Sequence, residues 1–139
     1  MKIQIVLLVT LLASNAAASE TNMTLVCSGK QGLAWGNSTY NQQYSVARND
    51  SVLNVNNDIY SITEDGPVYI MGSSNPENRQ DSRLKRIVLD RLSGELWIGD
   101  YQELLSDTDA FDKTTMHNGA KYFLNYQFSG TCKKVEPLL

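Results

Sequence analysis

One histidine, His117, and two cysteines, Cys27 and Cys132, bound what nucleophilic and soft-metal chemistry this chain can do. A Ser–His–acid set needs a histidine that is buried and oriented. His117 stands beside Asn118-Gly119, where an exposed turn histidine is expected, and no Gly-x-Ser-x-Gly elbow accompanies it. Two sulfurs and one imidazole, scattered along the chain, fall one ligand short of a structural zinc site. No metal and no other cofactor is expected.

Oxygen chemistry is the next possibility. Asp107-Thr108-Asp109-Ala110-Phe111-Asp112 starts like a calcium loop, with hard ligands at alternate positions. The match fails at Phe111, at Asp112 where glycine is needed, and at the absent closing glutamate, so a solvated acidic loop is expected. Glycoside hydrolysis needs only two carboxylates across a cleft. Spacing in sequence says nothing about such a pair, and with Asp90, Glu95, Asp100 and Glu103 around one expected hairpin a small exported hydrolase stays the last of three functional readings.

The aromatics carry more weight. Seven tyrosines and two tryptophans are present. Such side chains, apolar with a polar tip, are common both in β-sheet cores and at recognition surfaces. Most are read as core. Trp35 is the exception, because Gly29-Lys30-Gln31-Gly32-Leu33-Ala34-Trp35-Gly36 is glycine-rich and reads as a flexible loop. Tyr122 and Tyr126 lie on one parity of the best-patterned segment. Trp35, Tyr122 and Tyr126 are therefore the candidate binding residues, and no catalytic residue is assigned.

What must position them begins with the N-terminus. Met1-Lys2, an apolar run from Ile3 to Leu12, and Ala13-Ser14-Asn15-Ala16-Ala17-Ala18 have the three parts of a secretory signal peptide. The apolar run is about half of the roughly twenty residues a spanning helix needs. Cleavage is expected between Ala18 and Ser19, leaving residues 19–139 as a single β-rich exported domain, periplasmic or secreted and not membrane-spanning. Export puts Cys27 and Cys132 in an oxidising compartment, where a disulfide between them persists. The loop it closes is long, worth about 4–5 kcal/mol in the chain-entropy model.

The charge balance is 12 Lys+Arg against 15 Asp+Glu, and losing Lys2 with the leader takes the formal net charge from −3 to −4. Mild acidity argues against nucleic acid as a partner. Arg83, Lys85, Arg86 and Arg91 form a local basic cluster, read as a solvated strand face. Asn22-Met23-Thr24, Asn37-Ser38-Thr39 and Asn49-Asp50-Ser51 are sequons that matter only in a eukaryotic secretory route.

Period-two alternation dominates the rest. Ala120, Tyr122, Leu124, Tyr126, Phe128, Gly130 and Cys132 share one parity, and Met23, Leu25 and Cys27 share another. Short strands follow at Tyr44–Arg48, Val52–Val55, Ile59–Thr63 and Val68–Met71, separated by Asn, Asp, Gly and Pro turn chemistry. Arg86–Arg91, Leu92-Ser93-Gly94 and Glu95–Ile98 form the clearest hairpin. Its expected register sets Arg91 against Glu95 and Leu89 against Trp97. A short helical turn is expected at Tyr101, Leu104 and Leu105, and loop from Asp107 to Asn118. The fold expected is all-β: one small antiparallel meander, a barrel or sandwich of about eight strands, closed by the disulfide between first and last strands.

Gly119-Ala120-Lys121-Tyr122 is similar to the Gly-x-x-Tyr element of small periplasmic lysozyme inhibitors, which are exported β-barrels with a disulfide. The likeness covers four residues and carries no residue roles. The leading functional expectation is an exported, non-enzymatic binding protein, possible inhibitors among such proteins, whose partner is an envelope or extracellular protein or glycan. The second is a barrel that carries a small apolar ligand against the Tyr122/Leu124/Tyr126 face.

Overall fold

The computed structural model describes residues 22–74, 83–104, 113–117 and 119–135. The expected leader, the acidic Asp107–Asp112 stretch, Leu105 and Asn118 lie outside the described residues. The strands are β1 (Asn22–Leu33), β2 (Thr39–Asn49), β3 (Val52–Val55), β4 (Asp58–Asp65), β5 (Tyr69–Ser73), β6 (Arg83–Asp90), β7 (Glu95–Glu103), β8 (Thr114–His117) and β9 (Ala120–Lys134). Each of β1 to β6 pairs antiparallel with the next, β7 pairs with β9, and β9 pairs back to β1. Eight strands thus close an antiparallel barrel. β8 is an added hairpin arm on the first residues of β9. No helix among the described residues is long and apolar enough to cross a membrane.

Turn chemistry sets these boundaries. Asn56 and Asn57 join Val55 to Asp58, both at positive φ (48° and 75°), the backbone that a two-residue type I′ hairpin demands and asparagine tolerates. Asn56 also uses its side chain, accepting from the Ser45 amide at 2.8 Å. Gly94 (φ 75°) ends the β6–β7 turn, where Asp90 Oδ1 accepts from the Leu92 and Ser93 amides.

Alternate residues of the eight strands point inward and fill the barrel. Cys27, Val46, Leu53, Val55, Tyr60, Ile70, Ile87, Leu89, Leu96, Ile98 and Phe128 form one buried cluster. An eight-stranded barrel is narrow enough for side chains to fill it. Cys27 and Cys132 are cross-strand partners on β1 and β9, bonded to each other with Cα atoms 3.9 Å apart. The disulfide therefore joins the first and last strands at the seam. The inner parity of Met23, Leu25 and Cys27 is as expected, with Met23 and Leu25 packed against the cluster.

Several sequence expectations change. The β6–β7 register is one residue off the expected one: Leu89 faces Leu96, and Val88 faces Trp97. The turn takes in Arg91 as a fourth loop residue, and Arg91 pairs with Asp65 instead of Glu95. Tyr101 belongs to β7 rather than to a helical turn, because its ring packs edge-on against Trp97 on the same strand face. Thr114–His117, expected as loop, is a strand because β9 offers it a free edge beyond the end of β1. Gly29–Leu33 is strand too, and the loop that follows is short.

Candidate functional site

Antiparallel connections alternate between the barrel's two ends. The turns after β1 and β3 and the β8–β9 arm lie at one end, here the upper end. Trp35 stands in the upper turn after β1, 66% exposed. Its indole N–H points at Asn125 Oδ1 at 3.5 Å. Asn125 O accepts from the Ala34 amide, and Leu33 faces Tyr126 across the β1–β9 seam. Trp35 and Tyr126 are thus brought together at the rim. Tyr122 is not with them: it is buried farther along β9, facing Thr115 of the arm.

Tyr126 leads into the mouth. It faces Asp100 on β7, and Gln31 on β1 faces Tyr40 on β2. The Tyr44 hydroxyl donates to Gln31 Oε1, and its ring meets Phe128 edge-on at 4.8 Å. Tyr60 is fully buried below. Burial pushes the Tyr60 phenol up, and negative charge on Asp58 and Asp100 adds to it. Burial likewise raises Tyr44, with Tyr40 and Asp100 acting in the same direction. Both phenols therefore stay protonated as hydrogen-bond donors near neutral pH. Lys85 Nζ and Asp58 Oδ2, 2.8 Å apart, tie β6 to β4 at this end.

Large exposed apolar side chains concentrate on the same end. Trp35, Tyr40, Ile59, Met116 and Tyr126 belong to it, whereas Tyr69, Leu92 and Val135 lie toward the other. Tyr40, Ile59 and Met116 were not singled out by sequence. Their signal is topological, since only the hairpin order shows that these strand ends share a rim.

The β8–β9 arm is built by a bulge. Asp100 and Tyr101 are adjacent on β7, but their partners on β9 are Tyr126 and Leu124. Asn125 is the extra residue, and beyond it the sheet face reverses. Leu84, Tyr101 and Leu124 then form a row across β6, β7 and β9 outside the main cluster. Arg86 Nη1 donates to Thr115 Oγ1 at 2.7 Å, while its guanidinium lies 5.9 Å from the Tyr101 ring centroid. On a flat sheet β6 and β8 would stand three spacings apart, roughly 14 Å. The bond requires the arm to curl toward β6. His117 is not the exposed turn residue expected: it ends β8, half-buried, 6.4 Å from the Tyr122 ring. The basic cluster is likewise not one solvated face, because Lys85 and Arg91 bind Asp58 and Asp65 at opposite ends of β4 and Arg86 binds Thr115 on β8.

At the lower end Arg48, buried, grips Asp65 through both Nη atoms (3.2 and 2.6 Å), and Arg91 reaches the same carboxylate. The Arg48 hydrogen bond leads in holding Asp65 below the usual carboxylate range. A hollow of about 420 Å³ opens here, lined by Met23, Leu25, Ile70, Leu89 and Arg91 among others. Neither this hollow nor a second one on the outer face is lined by Tyr122, Leu124 or Tyr126.

Comparison of the chain with protein-family models, with curated proteins and with solved structures finds no match.

Proposed function

We propose that this is an exported, non-enzymatic binding protein that docks a macromolecular partner on its upper rim. The observation that carries the reading is the grouping of Trp35, Tyr40 and Tyr126 at the upper end of the barrel, with Ile59 and Met116 exposed at the same end. Large rigid aromatics ringed by polar groups are what interface hot spots use. The Cys27–Cys132 disulfide is compatible with a periplasmic or extracellular compartment, and the Lys2 to Ala18 pattern supplies the route. An envelope or extracellular protein is favoured over a glycan by the apolar character of the rim.

The likeness of Gly119–Tyr122 to lysozyme inhibitors makes lysozyme the first defined partner to test. The test is titration of lysozyme with protein beginning at Ser19, beside Trp35→Ala and Tyr126→Ala. Binding that both replacements weaken, with folding unchanged, supports the rim. Binding that both leave untouched removes these residues from the account.

The carrier reading rests on the lower hollow, which is bounded by inward apolar residues. The hydrolase reading has less support. Asp90 and Glu95 share an outer-face hollow, Asp100 sits at the mouth, and Glu103 faces Tyr122. The Ser93 and Leu92 amides lower Asp90 and keep it ionised. A general acid for glycoside cleavage needs the opposite shift.

A further inference from the structure

The outer face of β5, β6, β7 and β9 carries a hollow of about 460 Å³ that the rim does not use. Register places its residues in rows. Tyr69 faces Asp90, and Glu95 faces Thr131; Val88, Trp97 and Ser129 form the next row. Trp97 lines the hollow, and its indole is held in place. Trp97 Cη2 lies only 2.3 Å from where a Cβ on Gly99 would sit, so the ring lies over Gly99 because that residue has no side chain. Tyr101 packs against it edge-on, and its Nε1 donates to Gln127 Oε1 at 3.3 Å.

Two carboxylates, Asp90 and Glu95, and two aromatics, Tyr69 and Trp97, line this hollow, and no lysine or arginine is among its lining residues. Nearby Lys30 gives its ammonium to Asn41 on β2, away from the hollow. Asp90 is fixed by two backbone amides. A planar cation meets all of these groups at once: guanidinium stacks on an indole face and forks onto a carboxylate. A neutral sugar would stack on Trp97 but leave the negative charge unmatched.

We propose that this face is a second docking site, taking an arginine side chain of a basic polypeptide, with Trp97 as the stacking platform and Glu95 and Asp90 as the paired anions. The site stands apart from the upper rim and does not depend on it.

Trp35 and Trp97 are the two tryptophans of the chain, so Trp35→Phe makes fluorescence report on Trp97 alone. In that background the protein is titrated with N-acetyl-diarginine amide. A saturable Trp97 response is expected, weakened at least tenfold by Glu95→Gln and unchanged by Glu64→Gln, an equal charge change on β4. The citrulline analogue, neutral and similar in shape, should give no response. Absence of a saturable response up to about 10 mM peptide, a limit well above useful affinity, overturns the site. So does equal weakening by Glu95→Gln and Glu64→Gln, which marks diffuse attraction. A response to chitotetraose without one to the peptide overturns it in favour of a glycan.

Discussion

Gly29 and Gly130 face each other across the β1–β9 seam, two residues from the disulfide. A Cβ on Gly29 would stand 2.0 Å from the carbonyl oxygen of Ser129. That atom is backbone, so the strands must part to make room. Gly29→Ala is expected to cost about 1–3 kcal/mol, read as a lower denaturant midpoint at unchanged slope. Asp65 is the matching polar case. Its native pKa lies below its unfolded value, so its ion pairs stabilise the fold above about pH 4, and that contribution is lost as pH falls through the lowered native value. Asp65→Asn leaves the buried Arg48 guanidinium without its anion and should cost about 1–3 kcal/mol at neutral pH. Unfolding titrations of both proteins from pH 6 down to strong acid should show that gap closing. A gap constant with pH would remove Asp65 as the titrating group.

Strand identity was readable where alternation was clean, and register was not. Val52–Val55 and the last strand stand where alternation puts them, because one buried face forces period two. Parity across Ala120–Cys132 assumes an unbroken ladder, and the bulge at Asn125 breaks it. The same parity grouped Tyr122 with Tyr126, yet one is buried in the arm and the other half-exposed at the mouth. The β6–β7 register failed for a similar reason, since local turn chemistry allowed either a three- or four-residue loop. Trp35 was found as a loop aromatic because glycine and polarity mark the turn. Arg86 was invisible as a strut, for its partner Thr115 lies 29 residues away. Arg86→Met should release the arm. Hydrogen exchange at Thr114–His117 is then expected to speed up, while β2–β4 amides keep their protection. Equal exchange in both proteins would show that the Thr115 bond does not hold β8.

At the scale of the whole molecule, closure decides. An open eight-strand meander would leave two edges, and pairing β1 with β9 removes both. The Cys27–Cys132 bond spans 105 residues of sequence, so it constrains nearly the whole unfolded chain. Replacing both cysteines with serine should cost about 4–5 kcal/mol by loop-closure entropy, measured by chemical unfolding. All-β class and the joining of first to last strand were legible because alternation, turn residues and a lone cysteine pair are local signals. The grouping of exposed apolar side chains at the upper end was not, because it is assembled from strand ends far apart in sequence.

Whether the upper rim binds a macromolecule is decided by native mass spectrometry of the mature protein purified from its own host's exported fraction, beside a Trp35→Ala/Tyr126→Ala double variant. A discrete protein complex is expected for the native chain, and the folded double variant should lose it. A small-molecule adduct carried equally by both, with no protein complex, would contradict it and place the function inside the barrel.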